Sequence, residues 1–361
     1  MCEKMKNGRE EDPLRAYRKG IAARWVFMGA VLLLLAIAIV VSLGLGSSDM
    51  TAEEALLALF GKGDEASLTI IWRIRLPRVL TALIAGAGLA AAGASMQTVL
   101  RNPIASPVTL GISQSAAFGA AFAVVVLGAG TVQSSMVDAV IFDNMYIVSI
   151  CAFAASMIST GVVILLARFK RASPETMILA GVAMGSLATA GTTAIEYFAD
   201  DVQLSSIIFW TFGDMGRTGW EEILLLALVS LSAVGFFSLN GWKYNSMDAG
   251  DETAESLGVN TGRVRIVGMG VASLVTALII SFVGIIGFVG LVVPHIVRKI
   301  VGGDQRFLMP ASALTGAFLL LISDTVARTV ISPVVLPVGI LTSFIGAPLF
   351  IYLVIRGKEH W

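Results

Sequence analysis

No Asp, Glu, Lys or Arg interrupts the chain from Ile266 to Val297. At about 1.5 Å of rise per residue, a straight helix over this interval would measure about 48 Å, against about 30 Å for the hydrocarbon core of a bilayer. The interval therefore has to turn. Gly284-Ile285-Ile286-Gly287 is where the backbone is free enough to do so, which predicts a helix out and a shorter helix back.

Other uncharged intervals are long enough for one crossing each: Trp25 to Ser48, Val79 to Leu100, Asn144 to Ala167, Thr176 to Ile195, Ile223 to Trp242 and Thr329 to Ile355. Phe307 to Ser323 starts another that must continue past Asp324. Asn102 to Val137 exceeds one crossing and reads as a helix from about Val108 followed by a loop closed by Asp138 and Asp143. With the hairpin, the total is ten. The composition agrees, because 56% hydrophobic and 14% charged residues over 361 positions lie well outside soluble averages, as does a mean hydropathy of +0.85. The expected fold class is an all-α polytopic membrane protein of about ten transmembrane helices, placed in the cell (inner or cytoplasmic) membrane.

The 25 Lys and Arg balance the 25 Asp and Glu, so no global field favours nucleic acid, and none is expected as a partner. Their distribution is more informative. With the N-terminus inside, ten crossings leave only Lys62, Arg73, Arg75, Arg78, Arg217 and Arg328 outside, and the other 19 of the 25 inside. Both termini are then cytoplasmic. Residues 1–20 read as a charged cytoplasmic tail and 21–361 as a single permease domain, whose longest inner loop is about 240–265. The longest outer loop, 46–78, has room for a short surface helix at Ala52 to Phe60. Cys2 and Cys151 are too few for a disulfide framework. No hydrophobic stretch precedes Cys2, so neither a cleaved signal nor a lipoprotein signal is expected.

Several chemistries lack their motifs. There is no G-x-x-x-x-G-K-[ST], so the chain is not expected to be its own ATPase, and neither H-E-x-x-H nor G-x-S-x-G occurs. The two histidines, His295 and His360, argue against zinc. No enzymatic activity, catalytic residue, metal site or cofactor is expected in this chain. Within the spans only Glu196 and Asp324 are charged, both near outer ends, and both read as interfacial acids that reach water rather than as a proton relay. A secondary carrier or a purely structural membrane subunit are the competing classes. The span from Thr176 is polar, with Met184, Ser186, Thr189, Thr192 and Thr193. Such a stripe can line a passage or bond neighbouring helices.

Four strings at helix ends carry a family signature: Arg75-Leu76-Pro77-Arg78; Met96-Gln97 through Arg101-Asn102-Pro103-Ile104-Ala105; Gly287 through His295; and Leu336-Pro337-Val338-Gly339-Ile340 with Gly346-Ala347-Pro348. Together they resemble FecCD-type permeases, the membrane subunits of ABC importers for ferric siderophores, haem and cobalamin. The resemblance implies two such subunits, here expected as a homodimer, with two ABC ATPase subunits that bind ATP and Mg, an extracytoplasmic binding protein and surrounding membrane lipid. An iron-siderophore complex is the expected cargo, with haem, cobalamin or an oxyanion as alternatives.

The resemblance also implies roles for particular residues. Met184, Ser186, Thr189 and Thr193 would line the pathway. Asn102, Ile104, Pro174 and Glu175 would form a cytoplasmic gate. Arg75, Arg78 and Arg328 would receive acidic residues of the binding protein, although lipid anchoring also explains interfacial arginines. Asp251, Glu252, Ala254, Glu255, Leu257 and Gly258 read as a short helix with an acidic face and a glycine stop. Similarity to the family's long inner loop implies that this helix couples to the ATPase.

Overall fold

The computed structural model describes residues 13–46, 50–129, 145–170, 173–332 and 334–356. Its helices are α1 (Pro13–Gly44), α2 (Ala52–Leu59), α3 (Glu65–Thr69), α4 (Leu76–Val99), α5 (Ile112–Val125), α6 (Met145–Lys170), α7 (Pro174–Phe198) and α8 (Asp201–Thr211). They continue as α9 (Trp220–Leu239), α10 (Gly241–Asp248), α11 (Asp251–Ser256), α12 (Thr261–Val283), α13 (Val289–Val301), α14 (Gln305–Thr329) and α15 (Val338–Arg356). No strand occurs among the described residues. Among the described residues seven helical stretches are long and apolar enough to cross a membrane, and the chain is a multi-pass membrane protein. The expected ten crossings would also require α5, α13 and α15. The 13 residues of α13 rise only about 20 Å.

The centre of the bundle is α4, which packs against α9, α12, α13 and α14. Between helices in lipid there is little hydrophobic gain, so tight backbone approach supplies the contact. The Ala-Gly stretch of α4 provides it at two crossings. A Cβ on Gly93 would collide with the Gly290 carbonyl of α13, and one on Gly86 with the Gly316 carbonyl of α14. A second apolar cluster centres on α5, which packs against α6 and α7.

The break inside 266–297 falls where the sequence placed it. α12 ends at Val283, Gly284 adopts φ +86°, and α13 starts at Val289. The freed backbone is partnered nearby. Asp214 N donates to Val283 O (2.8 Å), while Val338 N and Gly339 N donate to the Gly213 and Phe212 carbonyls (3.2 Å each).

Elsewhere the boundaries differ from expectation. α1 begins at Pro13, so part of the expected tail is helical; residues 1–12 lie outside the described residues. α5 starts at Ile112 rather than near Val108, because Ser106 and Thr109 exchange side-chain bonds in a turn and Gly111 is left-handed at φ +76°. The loop acids Asp138 and Asp143 lie outside the described residues. The span expected at Val79 is continuous from Glu65, through a π-helical segment at Ile70–Arg75. Its wider turn precedes Pro77, whose ring an α-helix interior would not accommodate. Helix α8 was not anticipated, although Asp200 and Gln203 form a capping box at its start.

Candidate translocation and coupling sites

At the bundle end that carries α2 and α8, the expected docking arginines turn inward. Arg78 Nε lies 2.9 and 3.1 Å from the two Asp324 carboxylate oxygens, and its Nη2 lies 3.0 Å from Asp214. Arg328 Nε reaches Asp324 at 3.2 Å, while its Nη2 donates to Ser42 Oγ at 2.8 Å. Arg75 Nη1 donates to the carbonyls of Leu43 and Gly44 at 2.6 and 3.0 Å. These carbonyls, with Ser42 O and Leu45 O bonded by Arg328, belong to the last turn and exit of α1. Helix ends leave such acceptors unpaired, and cations suit them.

Two expectations are corrected here. The side chains of Arg75, Arg78 and Arg328 are not presented outward as exposed ion-pair donors: Arg75 and Arg328 are buried, and Arg78 is nearly so. Asp324 is not an interfacial acid in water, since it is 0% exposed. An acid inside a span is expensive unless paired, and two outer arginines were the available partners. The i,i+4 spacing of Asp324 and Arg328 was the signal for one of them. Of the outer cations, Lys62 and Arg73 do remain exposed.

Helix α7 has two distinct faces. Met177, Gly181, Gly185, Ala188 and Thr192 are buried at helical spacing, with Gly181 and Gly185 against Leu110 and Gly111. Ser186, Thr189 and Thr193 share an adjoining, open face. The Ser186 and Thr189 hydroxyls donate to the Val182 and Gly185 carbonyls one turn back, at 3.0 and 2.9 Å, which leaves their oxygens as acceptors. Met184 does not join them. It is half-buried and packs on the main apolar core.

At the opposite end, α4 stops at Val99. Arg101 is left-handed at φ +46°, and Asn102 Oδ1 accepts from Ile104 N at 3.0 Å, folding the chain back before Pro103. Ile104 is exposed. Pro174 opens α7 at a position where a missing N–H costs nothing, behind the Ser173 cap. Glu175 is exposed, and Arg101 and Arg265 are close enough to act on it electrostatically.

The loop expected at about 240–265 folds as α10 and α11, the latter bounded by Gly250 at φ +112° and Gly258 at φ +81°. Asp248, Glu252 and Glu255 are exposed and Asp251 is half-buried, and three of these acids also bond neighbouring residues. Asp251 pairs with Arg265 at 3.0 Å, Glu255 accepts from Thr261 Oγ1 at 2.9 Å, and Asp248 accepts from Gln305 Nε2 at 2.6 Å. Ala254 is fully buried, whereas Glu252 and Leu257 remain exposed.

Sequence reasoning missed the residues that tie this loop to the bundle. Arg265 is buried and reaches both ways, with Nε donating to Val99 O at 2.8 Å and Nη2 to Asp251. Gln305 Nε2 bonds Thr98 Oγ1 at 2.8 Å as well as Asp248. Both cross-links end on the last turn of α4, just before the Asn102 turn. Asp304 receives bonds from Arg306 and Asn245, with Arg24 also beside it. The Arg306 guanidinium, with help from Asn245, holds its carboxyl at about 2. Burial pushes the Tyr244 hydroxyl up to about 12, where it accepts from Ser95 of α4. The signal for Arg265 was a basic residue inside a loop rich in acids. No group of three His, Cys, Asp or Glu positioned for a metal occurs among the described residues.

The model of the FecCD transport family matches residues 34–356. A Methanocaldococcus jannaschii protein named as an ABC transporter permease is 52% identical, over 92% of this chain and 95% of its own. An Fe(3+)-citrate import system permease protein of Bacillus subtilis is 37% identical over 90% of this chain and 94% of its own. The hemin transport system permease protein of Yersinia pestis is 34% identical over 93% and 97%. A solved structure of a metal-chelate type ABC transporter in an inward-facing conformation superposes with a TM-score of 0.78 at 30% identity, covering 91% of this chain and 98% of that one. The chain belongs to the FecCD transport family, as a membrane-spanning permease subunit of an ABC importer whose ATPase is a separate chain.

Proposed function

We propose that this permease carries an iron chelate of the siderophore type, delivered by a binding protein at the α2 and α8 end and released at the α10 and α11 end. The relative named for Fe(3+)-citrate import supports that cargo class. Two copies would enclose the pathway, each offering the open face of α7, where Ser186, Thr189 and Thr193 supply hydroxyl oxygens to a polar chelate. The turns at Asn102–Ile104 and Pro174–Glu175 would close it on the cytoplasmic side.

The observation that carries the mechanism is the double reach of Arg265. A push by the ATPase on Glu252 and Leu257 moves α11, and Asp251 passes the displacement through one guanidinium to Val99, next to the Asn102 turn. The outer arginines hold the rim on which the binding protein would rest, and its docking would act on the ends of α1, α4 and α14 that they join. The test is uptake of a radiolabelled ferric siderophore into proteoliposomes that hold the permease with its ATPase and binding protein. ATP-driven uptake without any ion gradient is expected. Uptake on an ion gradient without ATP would overturn the reading, and ATP-driven uptake of cobalamin but not of iron chelates would overturn the cargo.

A further inference from the structure

Two cavities lie end to end along the flank of α9 and α12, and Phe236 lines both. The first, about 410 Å³, sits where α9 runs into α10 and α12 begins, and it is polar on one side, with Asn240, Trp242, Lys243, Asn260 and Arg263. The second, about 280 Å³, continues between the two helices and is lined by Leu228, Ser232, Val271 and Leu274 among others. Trp242, Leu228 and Leu274 are exposed in the subunit.

The charges of the first cavity are uncompensated. Lys243 Nζ bonds the Asn240 amide oxygen at 2.8 Å and lies 5.8 Å from the Trp242 ring centroid. Neither Lys243 nor Arg263 has a carboxylate within ion-pair distance among the described residues. The amino end of α12 adds its partial positive charge to theirs. Trp, Lys and Arg together mark the level of the membrane–water interface. A cationic polar cavity at that level, opening into an apolar groove that runs towards the bilayer centre, has the two-part shape of a lipid.

We propose that this flank binds one anionic phospholipid, its phosphate between Lys243 and Arg263 and one acyl chain in the groove between α9 and α12. The groove from Phe236 to Leu228 extends about 12 Å along α9, which matches a chain lying beside the helix. Anionic headgroups are what juxtamembrane cations attract. An ATPase seated on α11 could reach the cations but has no use for the groove, which favours lipid over a protein occupant.

The test is native mass spectrometry of the assembled transporter, purified in detergent and supplied with phosphatidylglycerol or phosphatidylcholine. Selective retention of one phosphatidylglycerol per permease chain is expected. Lys243→Gln with Arg263→Gln should weaken it by about 25-fold, at roughly a factor of five per cation. Ser232→Trp fills the groove without touching either cation and should also expel the lipid, while soluble glycerophosphoglycerol should not compete. Equal retention of the two lipids, or unchanged retention in both variants, would overturn the proposal. Competition by the soluble headgroup at lipid-like concentration would reduce the site to one for phosphate. Retained lipid with loss of the ATPase from the double variant would reassign it to a protein contact.

Discussion

Asp324→Asn tests whether the rim at the α2 and α8 end is held by buried charge. In the native subunit this carboxylate is fully buried and receives Arg78 at 2.9 and 3.1 Å and Arg328 at 3.2 Å. Removing one partner from a buried ionic cluster costs about 3 to 5 kcal/mol, because the remaining charge stays desolvated without compensation. Arg78 would keep Asp214, and Arg328 would keep Ser42 and Leu45. The lower end, about 3 kcal/mol, is therefore expected. Asp214 is 40% exposed, so Asp214→Asn should cost at most about 1 kcal/mol. Equilibrium unfolding by SDS in mixed micelles measures both variants against the unmodified protein. The cost at Asp324 should also change little between low and high salt, since a buried pair is poorly screened. If Asp324→Asn unfolds within about 1 kcal/mol of Asp214→Asn, the guanidinium groups find water or other acceptors, and the sealed-rim argument fails.

Three further outcomes are expected. Asp251→Asn or Arg265→Gln should leave ATP hydrolysis by the assembled transporter largely intact while lowering uptake per ATP, read from parallel phosphate-release and uptake assays in proteoliposomes; unchanged stoichiometry would refute the Val99 linkage. Gly93→Ala should cost about 1 to 3 kcal/mol or more in the same SDS titration, because its methyl meets the Gly290 carbonyl, whereas Gly161→Ala, with open space around it, should be neutral or stabilising by up to about 1 kcal/mol. Because the folded Asp304 carboxyl is held at about 2, below its ordinary 3.8, its contribution is present above about pH 4 and is lost as pH falls towards 2. Thermal unfolding followed from pH 5 to pH 2 should decline less steeply in Asp304→Asn than in the unmodified chain.

Long-period features were legible from residues alone. The break at Gly284 followed from a length that no single crossing accommodates, and the short outer helix at Ala52 from a loop with room for it. Short-range geometry was less so. The delayed start of α5 depends on reciprocal Ser106 and Thr109 bonds that compete with helix formation, and the π-helical segment before Pro77 has no hydrophobic period of its own. Positive-inside arithmetic counts charges without saying where a side chain points, so it could not show that Arg75 and Arg328 serve the end of α1 while Arg78 pairs with Asp324 and Asp214. For the same reason the acids at 240–265 did not show that Asp251 would pair with Arg265 and Asp248 with Gln305.

The junction at Gly284 has a consequence for biosynthesis. The Phe212 and Gly213 carbonyls accept from Gly339 and Val338 N, so the turn between α8 and α9 is completed by the start of α15, some 125 residues later in the chain. At about 5 to 20 residues per second, that interval lasts roughly 6 to 25 s. Throughout it these carbonyls must rest on water or on the insertion machinery while most of the bundle has already been made. α15 thus closes the seam long after α8 and α9 are made, and a ribosome stalled before Val338 would leave the turn between α8 and α9 without those two donors.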